Sequence, residues 1–162
     1  MSATRQDSVV TRTLPGPSRH VRAGTDRAAR LSLVWVFALF NYLYCDVLGL
    51  NDRNVLKDLI DGTGAIDMTQ GVLLGSAILM EIPIAMVLLS VVLPRRASRW
   101  ANVAAGAVMT LVQVGSLFVG SGPTSYYLFF SAVEIGATVF VLLYAWTWHQ
   151  DAAPPLDPAD LT

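Results

Sequence analysis

The sequence predicts an all-α integral membrane protein, an antiparallel four-helix transmembrane bundle. Three observations carry this expectation. Hydrophobic residues make up 54% of the chain and charged residues 14%, against about 25% charged in soluble domains. Between positions 31 and 149 the charges gather mostly in two short clusters, 52–67 and 95–99. The apolar stretches between them each reach about the 20 residues that a helix needs to cross hydrocarbon.

Residues 1–30 form a polar, arginine-rich tail, interrupted by Pro15-Gly16-Pro17. Its composition supports no core, so a disordered cytoplasmic tail is expected. The apolar run that follows has the length of a full span and ends in no small-residue cleavage site, which favours a retained first helix over a signal peptide. Span one covers 31–50. In the next loop Val55, Leu56, Leu59 and Ile60 recur at helical spacing beside Lys57, Asp58 and Asp61. They predict a short helix lying on the membrane surface, ended by Gly62-Thr63-Gly64. Span two covers 68–93, with Asp67 as N-cap and Gln70 three residues on, the spacing of a capping box. Span three covers 100–119, with Ser98 as its N-cap. Span four covers 125–148. The links 95–99 and 120–124 are short and force antiparallel neighbours. Pro154-Pro155 and a disordered acidic tail, 150–162, follow the 31–149 transmembrane domain.

Orientation follows from the basic residues. With the N-terminus in the cytoplasm, nine arginines fall inside, and only Arg53 and Lys57 outside. That is the positive-inside pattern of a multi-pass cell-membrane protein with both termini cytoplasmic. Trp100, Trp146 and Trp148 then mark the inner interface, with His149 as a further anchor, and Tyr126 and Tyr127 mark the outer one. This placement of basic residues beside spans argues against a nucleic-acid partner. Cys45 stands alone and reads as a packing residue. The preference for arginine over lysine, ten to one, points to a GC-rich bacterial genome.

Function rests on the exceptions to apolarity. The chain has two glutamates, Glu81 and Glu134, and both lie inside predicted spans. A carboxylate there costs at least about 2.5–3.5 kcal/mol. At 1.5 Å per residue, Glu134 lies roughly 14 Å into span four and Glu81 roughly 15–20 Å into span two. Asp46 lies near the outer end of span one, and Gln113 roughly 10 Å from the outer end of span three. Helical spacing groups Asn102, Gly106, Thr110, Gln113 and Gly120 on one stripe, and Tyr127, Ser131, Glu134 and Thr138 on another. Ala77, Glu81 and Ala85 share a face beside the helix-weakening Pro83. Tyr42 and Asp46 are four apart, with Asn41, Tyr44 and Cys45 adjoining. If all these faces turn inward, Glu81, Glu134, Asp46, Gln113, Asn41 and Tyr42 line one polar cavity opening outward. The competing reading is that such groups, Gln113 and Asn41 above all, are interhelical glue among small packing residues. Glu81-Ile82-Pro83 and Glu134-Ile135-Gly136 also echo one another, through duplication or through chance.

No metal-ligating His/Cys cluster, phosphate loop or Ser/His/Asp set occurs in the spans. His20 and His149 lie outside membrane depth, which argues against haem, and no cofactor is identified. The function expected is binding or transport of a small lipophilic or cationic ligand, or of protons, and four helices would then need a homodimer. The alternatives are a membrane-embedded acid/base enzyme on a lipophilic substrate and an accessory subunit of a membrane complex.

Asn41-Tyr42-Leu43-Tyr44-Cys45-Asp46, Met80-Glu81-Ile82-Pro83 and Leu93-Pro94-Arg95-Arg96 resemble strings of an uncharacterised family of small four-span bacterial membrane proteins. The resemblance covers about 31–148 and implies the four-helix bundle but no activity. In span count and size alone the architecture is also similar to DoxX-like proteins.

Overall fold

A computed structural model describes residues 19–64, 66–119 and 123–148. The described residues form five helices and no strand: α1 (Arg19–Asn51), α2 (Arg53–Asp61), α3 (Gln70–Val92), α4 (Arg95–Ser116) and α5 (Ser125–Trp146). Three helical segments are long and apolar enough to cross a membrane: Asp26–Asn51, Gln70–Val92 and Ser125–Trp146. α4 falls short of that standard, because it opens on Arg95, Arg96 and Arg99 and carries Asn102, Thr110 and Gln113 among small residues.

The boundaries correct several expectations. α1 begins at Arg19, so residues 19–30 are helical rather than a disordered tail. No proline follows Pro17 there, and alanine and arginine are good helix formers that extend the apolar segment backwards. The remainder of the tail, 1–18, the C-terminal 149–162 with His149, and the glycine link 120–122 lie outside the described residues. α1 ends at Asn51, and the Asp52 side chain accepts the Asn54 N–H at 2.9 Å to open α2. Gly62 closes α2 with φ 66°, a left-handed conformation that glycine adopts without strain, while its N–H reaches the Asp58 carbonyl. The cap of α3 is Thr69, not Asp67: the Thr69 hydroxyl accepts the Val72 N–H at 3.3 Å, and Asp67 lies two residues further out. The expected loop 95–99 belongs to α4. Only Leu93 and Pro94 link α3 to α4, Leu93 being held extended by the proline that follows it. Ser98 is therefore no cap but sits within α4, fully buried.

Four helices pack in a ring. α1 lies against α3 and α5, and α4 against α3 and α5. The core runs through Leu31, Trp35, Ala38 and Tyr42 of α1, Met86 of α3, Met109 of α4 and Val141 of α5. Gly106 lets α4 approach α5 closely, since a Cβ there would stand 3.1 Å from the Thr138 carbonyl. Toward the arginine end the helices are locked by a buried network. Asn102 Oδ1 accepts from Trp35 Nε1 at 2.8 Å and from the Ser90 hydroxyl at 3.1 Å. Asn102 Nδ2 donates to the Ser98 carbonyl, and the Ser98 hydroxyl donates to the Ser90 carbonyl. Arg99 reaches the Trp146 carbonyl at 3.0 Å, beside the edge-to-face pair Trp100 and Trp146, both exposed. Trp148, near the same end, is buried against the core. At the other end the packing is looser. α3 buries Pro83, Met86 and Ser90, and nothing before Pro83.

Candidate functional site

α5 turns Ser131, Glu134, Thr138, Val141 and Ala145 inward at spacings of three and four, and all five are buried. Glu134 is 2% exposed, and its Oε1 has no hydrogen-bond partner among the described residues. Across the bundle, α1 presents Tyr42 and Cys45, both buried, and Asp46, which is exposed. The three lie within Coulombic range of the Glu134 carboxyl. The Tyr42 hydroxyl is likewise buried and without a partner among the described residues.

The groups above and below are satisfied. Toward the α2 end Gln113 Nε2 donates to the Ser131 hydroxyl at 2.9 Å. The Ser116 hydroxyl donates to the Gln113 carbonyl and accepts from the Tyr127 hydroxyl at 2.6 Å. Toward the arginine end the Thr110 and Thr138 hydroxyls meet at 2.8 Å, and Thr138 also reaches the Glu134 carbonyl. Buried polar side chains are nearly always hydrogen-bonded. Three buried side-chain atoms among the described residues are exceptions: the Glu134 and Tyr42 oxygens, enclosed between these two layers, and Arg99 Nε at the arginine end.

Residues 21–154 match the model of a protein family. The chain belongs to DUF6326, a family of unknown function. No curated protein and no solved structure matches it. Membership of DUF6326 carries no activity, span count or link to DoxX-like proteins. The Glu134 cluster lies wholly inside the matched region.

The remaining residues singled out in this DUF6326 chain are not brought together. Glu81 is exposed, on the side of α3 opposite Pro83, Met86 and Ser90, and does not share a cavity with Glu134. Asn41 is half-buried and returns its amide to the Phe37 carbonyl of its own helix at 2.8 Å. The two glutamates of the internal echo thus occupy unlike surroundings. No group of three His, Cys, Asp or Glu that could hold a metal occurs among the described residues.

Two cavities border the cluster. A cleft of about 380 Å³ runs between α1 and α3 and is lined by apolar residues with Tyr42 and Asp46. A wider space of about 610 Å³ at the α2 end is lined by Cys45, Asp46, Leu59, Ser116 and Tyr127 among others. Asp46 alone lines both. Sequence reasoning passed over Ser116, whose hydroxyl joins Gln113 to Tyr127, and Ser90, whose hydroxyl reaches Asn102. It also missed the role of Trp35, whose indole N–H was the available signal, since a buried indole needs an acceptor.

Proposed function

We propose that this chain is a multi-pass protein of the cell membrane whose intramembrane Glu134 site binds or transports a small lipophilic or cationic ligand, or protons. The observation that carries the reading is the pair of unpartnered buried oxygens on Glu134 and Tyr42. A carboxyl removed from water in this way is completed by a proton or by a cation. A merely structural polar residue would be hydrogen-bonded, as Gln113, Asn102 and Thr138 are.

In this reading α4 is the fourth span of an antiparallel bundle, its polar residues sheltered by the other three. Arg95, Arg96 and Arg99 face the cytoplasm with both termini, and α2 lies on the outer surface. A homodimer through α3 completes the unit. It covers Glu81, which would otherwise meet lipid near mid-membrane at a cost of about 2.5–3.5 kcal/mol.

Proteoliposomes test the reading. Wild-type protein is expected to bind tetraphenylphosphonium saturably or to dissipate an imposed proton gradient, and Glu134→Gln is expected to abolish both while eluting as wild type on size exclusion. Retention of wild-type binding and flux by Glu134→Gln would overturn the assignment.

A further inference from the structure

We propose that the cleft between α1 and α3 is the seat of the ligand's apolar body, that the ligand enters it sideways from the bilayer, and that the ligand is an amphiphilic organic cation. The proposal deepens the Glu134 reading and rests on it.

Position comes first. The cleft is walled by Phe40 and Leu43 of α1 and by Met80 and Ile84 of α3. Phe40, at one lip, is 67% exposed, and Leu43 is exposed as well. Along Asp26–Asn51, Phe40 stands about 21 Å from one end and about 17 Å from the other. Its surroundings at that depth are acyl chains rather than water. A hydrated inorganic ion has no route to such an opening, whereas a molecule already dissolved in the bilayer does.

Chemistry comes second. The cleft's polar lining consists of Tyr42 and Asp46. Glu134, with its unpartnered carboxyl oxygen, lies in the core within Coulombic range of Tyr42 and lines neither cavity. One carboxyl and a phenol face an otherwise apolar space, and neither cavity is lined by a lysine or arginine. An anion is repelled there, and a neutral body gains only burial. A positive head on an apolar body satisfies both parts: the body fills the cleft, and the charge meets Asp46 and Tyr42, with the Glu134 carboxyl adding its field from the core. Asp46 also borders the wider space at the α2 end, and no other residue lines both. That space is the competing seat, reached from water.

The test uses the full chain in phosphatidylcholine nanodiscs, with binding to empty discs subtracted. Tritiated tetraphenylphosphonium is the probe, and tetraphenylborate is its near-isosteric anion. Leu43→Trp fills the cleft at an exposed position, Leu59→Trp fills the wider space without touching the cleft, and Glu134→Gln probes the carboxyl. Saturable binding of the cation but not of the anion is expected. Leu43→Trp should weaken binding about tenfold or more, and Leu59→Trp should change it by less than about twofold. The reverse pattern, Leu59→Trp weakening and Leu43→Trp silent, overturns lateral entry. In that case a loss of binding in Glu134→Gln leaves the Glu134 site standing. Equal binding of tetraphenylborate overturns the cation class and marks the cleft as a lipid groove. Wild-type binding in both Leu43→Trp and Glu134→Gln overturns the cleft and the Glu134 site together.

Discussion

Replacing Tyr42 with phenylalanine removes one hydroxyl and leaves the ring that packs in the core. Tyr42 is 6% exposed, and its hydroxyl has no partner among the described residues. A buried hydroxyl without a partner costs about 1–3 kcal/mol. The lower end applies in detergent, where the unfolded chain also finds partners. Tyr42→Phe should therefore stabilise the ligand-free protein by about 1 kcal/mol, a rise of about 2–4 °C in Tm for a chain of this size. Tyr127 supplies the internal control. Its hydroxyl donates to Ser116 at 2.6 Å across α4 and α5, so Tyr127→Phe should lose about 0.6–1.7 kcal/mol. Thermal unfolding followed by tryptophan fluorescence, with all proteins in one detergent, reads both. A destabilised Tyr42→Phe, with a loss matching that of Tyr127→Phe, would mean that the hydroxyl is bonded in the folded protein, and the case for a ligand at this position would fall.

Asn102→Leu strands the Trp35 indole N–H and the Ser90 hydroxyl; the two interhelical bonds predict a loss of about 1–3 kcal/mol. A double-mutant cycle with Trp35→Phe should return a coupling of about 0.6–1.7 kcal/mol, and additivity would show that the Trp35–Asn102 bond contributes nothing. Gly106→Val drives a side chain into the Thr138 carbonyl and Leu142, so unfolding should come earlier by about 1–3 kcal/mol; a neutral result would refute the close contact of α4 and α5. Leu74 is exposed two turns before Glu81 on the same face of α3, so in a Cys45→Ser background Leu74→Cys should form a disulfide-linked dimer in native membranes. Failure to cross-link there, with a monomeric mass in mild detergent, would refute the α3 dimer.

The apolar segments were legible because a lipid solvent imposes a length, and runs near 20 residues stand out in any chain. The inward faces of α4 and α5 were legible for a different reason. Asn102, Gly106, Thr110 and Gln113, and likewise Ser131, Glu134 and Thr138, select one stripe out of each helix, and these are the residues found buried or half-buried. α3 offered no such choice. Leucine, isoleucine and valine surround it, so the assumption that a carboxyl must point inward decided the face of Glu81, and packing from Pro83 onward decided otherwise. The start of α4 was misread because charge suggests a loop, whereas arginine and alanine after Pro94 propagate a helix. The unpartnered state of Glu134 and Tyr42 could not be read from sequence, because it depends on where four helices place their neighbours.

The two-residue link at Leu93 and Pro94 bears on how the protein is made. The hydroxyl of Ser98 meets the carbonyl of Ser90 only eight residues earlier, and closing so short a loop costs little. α3 and α4 can therefore zip together from the link outward as soon as both leave the ribosome, before α5 exists. On the four-span reading this solves a problem of insertion. α4 is too polar to partition into a bilayer unaided, but as the second arm of a hairpin it enters with its asparagine already bonded to α3. The most apolar of the described helices thus serves its polar neighbour α4 as an escort during biogenesis.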